Sequence, residues 1–475
     1  MSKTLKVILF AIGGFVGLLV LVALGLLLFG DFNTHKPRLE VAASDVLGMQ
    51  VHIGRLGIGF VPGLHVTLKD VRIQNRGMDV ASADETRLAV DLLPLLHAEV
   101  RIDSIALIRA RIYIEGDRDG LFNFEDPGRD ERVIPALEWA RVSLVDATLL
   151  YTDKKSEAAF EVGNCNVVAR ELRLAEGKSS DFLKNISVAA KMACATMQAK
   201  DFVLSDLTFS AIVNGGVFEL APVSMRVFSG QGSGSVQADF SDAVPRYRVQ
   251  YGLAQFRIEE FLKTLSPQHV AKGLMDFSAS LTLRGKTAHE IRKSAAGEIS
   301  LRGENLTLEG SDLDEELSRY GSSQNLNIVD VGALFFAGPV GLLVTKGYTF
   351  ASIFTGSEGS TRIRTLVSEW RVEHGVARAH DAAMATNEHR LALKGGIDFA
   401  NEQFEDVTVA LIDAKGCAVM QQKIRGPFQK PVVESPNILV SLAGPAFRLL
   451  KKGRSVFTGG ECKPFYAGSV TPPTE

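Results

Sequence analysis

Four cysteines, Cys165, Cys194, Cys417 and Cys462, are the side chains of this sequence with the most informative chemistry and spacing. Four cysteines permit three disulfide connectivities, and an exported protein is expected to form disulfides. We expect the pairs Cys165–Cys194 and Cys417–Cys462, because each closes a moderate loop within one half of the chain. Four free thiols, buried as small apolar groups, are the alternative. With no Cys-x-x-Cys pair and no histidine at ligand spacing, the sequence predicts no metal site.

The other reactive side chains do not form a catalytic pattern. The glycine run Gly230–Gly234 resembles a phosphate loop, but the period-two pattern that continues through Val236 and Phe240 favours a strand edge or bulge. The nine histidines are scattered, and no Gly-x-Ser-x-Gly elbow occurs. The acidic residues from Asp312 to Glu316 suit the first turns of a helix. The sequence therefore predicts a protein that is not an enzyme and that uses neither a cofactor nor a metal.

An apolar stretch near the N-terminus, Val7 to Phe29, carries no charge over its 23 residues. At about 1.5 Å per residue it can span a hydrocarbon core of about 30 Å. A cleaved secretory signal is the alternative, but signal cores run roughly 7–15 residues. Because Lys3 and Lys6 precede the stretch, the positive-inside rule predicts a cytoplasmic segment 1–6, a transmembrane helix over 7–29 and an exported body.

Beyond the anchor, apolar and polar residues alternate over most of the chain, which predicts strands with one apolar and one polar face. Turn signals recur at short intervals and favour antiparallel hairpins. One predicted apolar face consists of Ala106, Ile108, Ala110, Ile112 and Ile114. A second consists of Met275, Phe277, Ala279, Leu281 and Leu283, and a third of Leu207, Phe209, Ala211 and Val213.

Helices are predicted to be few and short. A proline near the first turn and a closing glycine predict one over Pro37–Gly48. Others are expected over Ile258–Leu265, from a capping box at Thr287 to Gly297, and from Ser311. We place a boundary near residues 242–275, which gives an anchor-proximal β domain over 30–255 and a distal β domain over 256–475.

The apolar faces need a cover, and such short helices cannot supply it. Either two sheets pack as a sandwich, or one sheet curls into a trough whose inner face is left for an apolar ligand. The apolar segment Ile328–Val344 is expected to cap or line the trough, and a second membrane span is the alternative. Only Thr471–Glu475 has the composition of a disordered tail. The net charge of −3, with mixed signs, gives no footprint for nucleic acid.

Several short motifs follow one another along the chain after the N-terminal span. They are Lys36–Gly48, Leu64–Asn75, Val90–Leu96, Gly116–Phe124, Gly216–Val223, Phe228–Gly232, Thr287–Leu313 and Val376–Phe399. Each motif is degenerate by itself, but their succession resembles the AsmA family of bacterial envelope proteins.

The resemblance implies a mainly β protein in which one N-terminal transmembrane helix precedes a long, curled antiparallel sheet, a taco-like groove with an apolar floor and a few short helices. It implies a single-pass protein of the bacterial inner membrane with a periplasmic body. Such a protein would carry phospholipid, or another envelope lipid, between the inner and outer membranes. Its partners would be the inner membrane, that lipid and outer-membrane components. A scaffold or regulator of outer-membrane protein assembly that holds no lipid is the alternative.

Lipid contact is therefore expected on two of the predicted apolar faces. Packing of these faces against each other as protein core is the competing interpretation. The expected contact residues are Ala106, Ile108, Ala110, Ile112, Ile114, Phe277, Ala279, Leu281 and Leu283.

Overall fold

The structure is a computed structural model. It describes residues 36–59, 65–90, 102–125, 133–134, 136–155, 157–178, 182–199, 202–264, 271–310, 312–315, 317, 359–439 and 462–473. The chain divides into two compact units, residues 1–226 with 235–245 and residues 227–234 with 246–475. The predicted span Val7–Phe29 and the segment Ile328–Val344 lie outside the described residues. Within the described part of the chain, no helix combines the length and the apolar character needed to cross a membrane.

The first unit is mainly β, as the alternation predicts. Its helices are α1 (Lys36–Leu47) and α2 (Phe182–Asn185). Its first strands are β1 (Gln50–Gly59), β2 (His65–Asn75), β3 (Met78–Val90), β4 (Ile102–Gly116), β5 (Val133–Ile134) and β6 (Leu137–Asp153). They are followed by β7 (Ala158–Leu174), β8 (Gly177–Lys178), β9 (Ile186–Ala199), β10 (Phe202–Asn214) and β11 (Val217–Val227). The next strand, β12 (Gly230–Asp239), belongs partly to each unit.

The sheet of the first unit is mixed, whereas the sequence predicted it to be antiparallel. The hydrogen-bonded order is β1–β2–β3–β4–β6–β7–β9–β10, with β5 and β8 paired separately. All neighbours in this order are antiparallel except β4 and β6, which are parallel. A parallel pair needs a crossover connection, and residues 117–136 separate β4 from β6 in the sequence.

A buried asparagine fixes the start of that connection. Asn123 is fully buried, and its amide nitrogen donates to the carbonyls of Asp79 (2.8 Å) and Tyr113 (2.9 Å). Its amide oxygen accepts from the N–H of Glu115 at 3.1 Å. Asp117 shapes the preceding turn by accepting from the N–H of Leu121, a bond that lowers the pKa of Asp117. The motif over Gly116–Phe124 thus ties the crossover to β3 and β4.

Helix α1 begins at Lys36 and is followed by Gly48 with φ +66°, as the sequence predicts. It also covers the outer edge of β1. Glu40 Oε1 accepts from the N–H of Ile53 at 2.7 Å, and Ser44 Oγ accepts from the N–H of Val51 at 3.0 Å. Unpaired N–H groups of an edge strand invite another strand, so these two side chains protect the edge.

The second unit repeats the meander. Its helices are α3 (Ile258–Lys263) and α4 (Ala288–Ser294). Its strands are β13 (Arg246–Arg257), β14 (Ala271–Lys272), β15 (Leu274–Arg284), β16 (Ala296–Glu309), β17 (Ser360–Glu373), β18 (Val376–Ala385), β19 (Arg390–Asp398), β20 (Gln403–Ile412), β21 (Ala418–Pro427), β22 (Val432–Val433) and β23 (Asn437–Ile438). The order is β13–β15–β16–β17–β18–β19–β20–β21, all antiparallel, with β14 on β16 and β22 and β23 on β21. Thr287 caps α4 by accepting from the N–H of Glu290 at 3.2 Å, which confirms the predicted start.

Single left-handed residues interrupt many of the long strands. Among the described residues, nine with φ between 46° and 55° lie within strands: Asp70, Arg109, Asp146, Asn164, Glu171, Asp206, Gln255, Asn305 and Asp406. At each one the alternation changes phase. In β7, for example, Val162 is buried before Asn164 and Cys165 directly after it. An inserted residue of this kind bends a strand and lets one apolar face continue around the bend.

Candidate functional site

The apolar face predicted on β4 does not run along the whole strand. Arg109 is left-handed, so the alternation holds on each side of it but not across it. The buried residues are Ile105 and Leu107 before Arg109 and Ala110 and Ile114 after it. Ala106 and Ile108 therefore do not share a face with Ala110, Ile112 and Ile114. The face with Ile105, Leu107, Ala110 and Ile114 is therefore packed core. Of the predicted contacts, Ala106, Ile108 and Ile112 are half-buried.

Later strands of the first unit carry an apolar face that is only half-buried. Strands β7, β9 and β10 align their apolar residues in register across the sheet. The rows are Val167–Met192–Phe209 and Ala169–Ala190–Ala211, beside the row Cys165–Cys194–Leu207. We call the half-buried members of these rows floor 1: Val167, Ala169, Ala190, Met192, Leu207, Phe209 and Ala211.

Both predicted cysteine pairs lie at disulfide distance. Cys165 and Cys194 are direct cross-strand partners on β7 and β9, with Cα atoms 4.0 Å apart, and they lie at the end of floor 1. Cys417 and Cys462 have Cα atoms 6.1 Å apart. Both Cα separations are within or close to the usual disulfide range, and the sequence-based pairing is confirmed.

The second unit has a comparable face on β13 and β15. The alternation predicted for β15 holds along the strand, with Met275 buried and the four following apolar residues half-buried. The register places Tyr251 opposite Ala279 and Val249 opposite Leu281. We call the half-buried members floor 2: Tyr247, Val249, Tyr251, Phe277, Ala279, Leu281 and Leu283.

Floor 2 is an environment of low polarity. Burial alone raises the pKa of both Tyr247 and Tyr251, because the phenolate form is poorly solvated there. On the side of β16, floor 2 continues into buried residues. Ala279 on β15 is the cross-strand partner of Ile299 on β16, and Ile299 is the partner of Trp370 on β17. Trp370 is only 2 % exposed. The half-buried apolar surface therefore ends at β16 and gives way to packed core.

A C-terminal segment that the sequence did not predict covers part of the second unit. Residues 462–473, here called the strap, lie against the sheet after the bridge to Cys417. Tyr466 and Val470 pack on a cluster of mostly small side chains: Val367, Ala383, Ala385, Ala392, Ala410 and Ile412. The tail from Thr471, expected to be disordered, includes Pro473, which is buried.

A buried polar group holds the strap in place. Asp381 accepts from the hydroxyl of Tyr466 and, at 2.9 Å, from the N–H of Ser469. The guanidinium of Arg390 donates to the carbonyl of Val470 at 2.9 Å and lies 5.8 Å from the centre of the Tyr466 ring. The strap therefore has a structural role in the second unit.

The remaining candidate sites have structural explanations. Glycines in the run Gly230–Gly234 lie in β12, where a Cβ on Gly230 would come within 2.7 Å of Phe256 Cβ. Close strand approach therefore accounts for the run. In the acidic cluster, Asp312 caps a helical turn and Asp314 contacts Thr386 and His389.

Among the described residues, no three of the His, Cys, Asp and Glu side chains come together as a metal group. A hollow of about 320 Å³ is lined by β15, β16, β17 and His380. Its charged residues include Glu369, which pairs with Arg302, and Glu298, 3.9 Å from Arg371. Pairing leaves this hollow with little charge to recruit an ion.

The half-buried floors define a class of protein with open apolar β-surfaces. The model of the AsmA family matches residues 1–194 and 175–381. The chain therefore belongs to the AsmA family. No curated protein and no solved structure matches the sequence.

Proposed function

We propose that this protein is a membrane-anchored envelope protein that binds phospholipid, or another envelope lipid, on apolar β-surfaces and carries it between the inner and outer membranes. The observation that carries the proposal is the pair of floors. Each aligns apolar side chains over neighbouring strands and leaves them only half covered by protein. Apolar surface of this kind, ordered in rows, suits the acyl chains of a lipid.

The mechanism is passive binding, without an enzymatic step, a cofactor or a metal. Each methylene group that leaves water contributes about 0.8 kcal/mol, so a few acyl carbons per row give useful affinity. The polar faces of the same strands keep the sheet soluble. The proposed location is the bacterial inner membrane, with the segment 7–29 as anchor, residues 1–6 in the cytoplasm and the body in the periplasm. The apolar segment, the lysines that precede it and membership of the family support this location.

The contact surface in this proposal differs from the sequence-based expectation. Phe277, Ala279, Leu281 and Leu283 stay as proposed lipid contacts in floor 2. In the first unit, the proposed contacts move from β4 to floor 1. On β4, Ala110 and Ile114 are buried, and Ala106 and Ile108 lie on the opposite face from them, so the five predicted residues do not form one apolar surface. The lipid role of the individual residues is part of the proposal.

The test is lipid loading of the purified full-length protein, measured by mass spectrometry after mild extraction. Leu281→Asp places a carboxylate on floor 2, and we expect at least a tenfold loss of co-purifying lipid. Ser280→Asp is the matched control, since Ser280 is the neighbouring exposed residue on the polar face. Phe209→Asp and Thr208→Asp make the same comparison for floor 1. Wild-type protein that co-purifies with no lipid would contradict the proposal.

A scaffold or regulator of outer-membrane protein assembly is the second candidate. It is favoured by exposed apolar side chains at the last strands, where Val432, Ile438 and Leu439 are 52 %, 42 % and 48 % exposed. A scaffold predicts that Leu281→Asp leaves envelope assembly intact, whereas Val432→Asp with Ile438→Asp impairs it. Lipid binding predicts the reverse.

A further inference from the structure

Floor 2 contains a polar group, the hydroxyl of Tyr251, within an otherwise apolar surface. Tyr251 is half-buried on β13, and its ring centre lies 6.5 Å from that of Phe277. Its register partner is Ala279, and its neighbours on the same face of β13 are Val249 and Leu253. Within the described part of the chain, the side chain of Tyr251 contacts the ring of Phe277, and its hydroxyl has no protein hydrogen-bond partner.

The state of this hydroxyl follows from its surroundings. Burial is the sole cause that raises the pKa of Tyr251, so the phenol stays protonated at neutral pH and is available as a donor. A buried or half-buried tyrosine hydroxyl usually has a partner. A lipid lying on Val249 and Leu281 would remove the remaining water, and the lipid itself would then have to supply the acceptor.

The type of acceptor can be argued from charge. The residues around Tyr251 on this face, Val249, Leu253, Phe277 and Ala279, are all uncharged. An anionic phosphate would be poorly solvated there, whereas a neutral carbonyl loses less on leaving water. In a phospholipid, the neutral carbonyls are the esters that join the acyl chains to glycerol, and they lie at the boundary between chains and headgroup.

We propose that the hydroxyl of Tyr251 donates a hydrogen bond to an ester carbonyl of a bound diacyl lipid and so sets the position of the lipid on floor 2. This inference rests on the proposed lipid function and adds the chemical class of ligand and the residue that recognises it.

The experiment compares two lipids and two proteins. The lipids are a diacyl phosphatidylethanolamine and its ether-linked dialkyl analogue, which has the same headgroup and chain length but no ester carbonyl. Affinities for the full-length wild type and for Tyr251→Phe are measured by native mass spectrometry. We expect the wild type to bind the ester lipid about three- to tenfold more tightly, a difference typical of one neutral hydrogen bond. Tyr251→Phe is expected to abolish this preference and to leave the ether-lipid affinity unchanged.

Tyr113→Phe is the control, because Tyr113 is half-buried on β4 in the other unit. It is expected to keep the ester preference. The inference is overturned if Tyr251→Phe keeps the preference, or if it weakens both lipids equally, as a packing defect would. Failure of the wild type to bind either lipid would instead overturn the lipid function itself.

Discussion

Strands β13 and β15 and strands β18 to β20 belong to the same meander, yet their side chains have very different surroundings. On β15, the apolar residues from Phe277 to Leu283 are half-buried and every residue between them is exposed. On β20, six consecutive residues from Val407 to Ile412 are buried, so both faces of the strand are covered. We call strands β18 to β20 the two-sided region. The strap accounts for one of those covers, since Ala410 and Ile412 pack against Tyr466 and Val470.

This difference shows that a period-two strand does not by itself determine whether a face is core or ligand surface. The cover decides. Where the strap lies over the sheet, alanines provide room for it; where nothing in the described part of the chain lies on floor 2, larger side chains such as Phe277 and Leu281 remain partly accessible. The region under the strap is core that stabilises the fold, whereas floor 2 is the surface that we propose binds lipid.

The largest expected contrast is in stability. Leu411→Ala removes a fully buried side chain from the two-sided region, and we expect a loss of about 2–5 kcal/mol. Leu281→Ala on floor 2 removes a half-buried side chain and is expected to cost about 1 kcal/mol. Urea unfolding, followed by Trp370 fluorescence in a Trp139→Phe background, measures both. Equal losses would mean that floor 2 is ordinary core and would contradict the lipid proposal.

A smaller effect is expected where the strap is attached. Asp381→Asn keeps the size of the side chain but loses the charge that accepts from Tyr466 and Ser469. Hydrogen bonds to a charged group contribute about 1.5–3 kcal/mol, and we expect a loss in that range together with faster hydrogen exchange in residues 462–473. Glu373→Gln, at an exposed position on β17, is the control. Unchanged exchange in Asp381→Asn would show that the disulfide and apolar packing alone hold the strap.

The attachment of the strap should also depend on pH. Burial opposes ionisation of Asp381, but hydrogen bonds from Tyr466 and Ser469 outweigh it and lower its pKa. Because the pKa of Asp381 is lower in the folded state, its carboxylate stabilises the folded form at pH values above the ordinary Asp value of about 3.9. This stabilisation is lost as the pH falls through the folded-state pKa. Burial, followed by the hydrogen bond to Asp381, raises the pKa of Tyr466. The protonated hydroxyl therefore contributes fully to stability below about pH 10, and this contribution is lost as the pH rises towards the folded-state pKa. Limited digestion with pepsin should release the strap progressively as the pH falls below the ordinary Asp value of about 3.9, and not above it.

Much of this architecture could be predicted from the sequence. The period-two pattern predicted the strands, the capping box at Thr287 predicted α4, and loop length predicted both cysteine pairs. The strap could not be predicted, because its few apolar residues are buried only by contact with alanines on strands that are far away in sequence. Ala383, Ala392 and Ala410 were the available signal, since alanines at matched strand positions leave space for a covering segment.

The face of β4 was assigned incorrectly for a different physical reason. Arg109 adopts a left-handed conformation that is uncommon for a residue other than glycine. The residues around Arg109 in the sequence give little indication of this conformation. One such residue moves every later side chain to the other face, so Ala106 and Ile108 were grouped with the wrong partners. The alternation on β15 was predicted correctly because that strand contains no left-handed residue.

The smallest expected effect concerns the left-handed residue on β16, the strand that separates floor 2 from the two-sided region. Asn305 has φ 53° and lies between the buried residues Gly303 and Leu306. Because glycine adopts this conformation without a penalty, Asn305→Gly should change stability by less than about 1 kcal/mol. Asn305→Val places a β-branched side chain there and should cost about 1–2 kcal/mol. Urea unfolding distinguishes the two, and lipid loading should be equal in both variants, since neither touches floor 2. If Asn305→Val is neutral, the phase change on β16 does not require a left-handed residue.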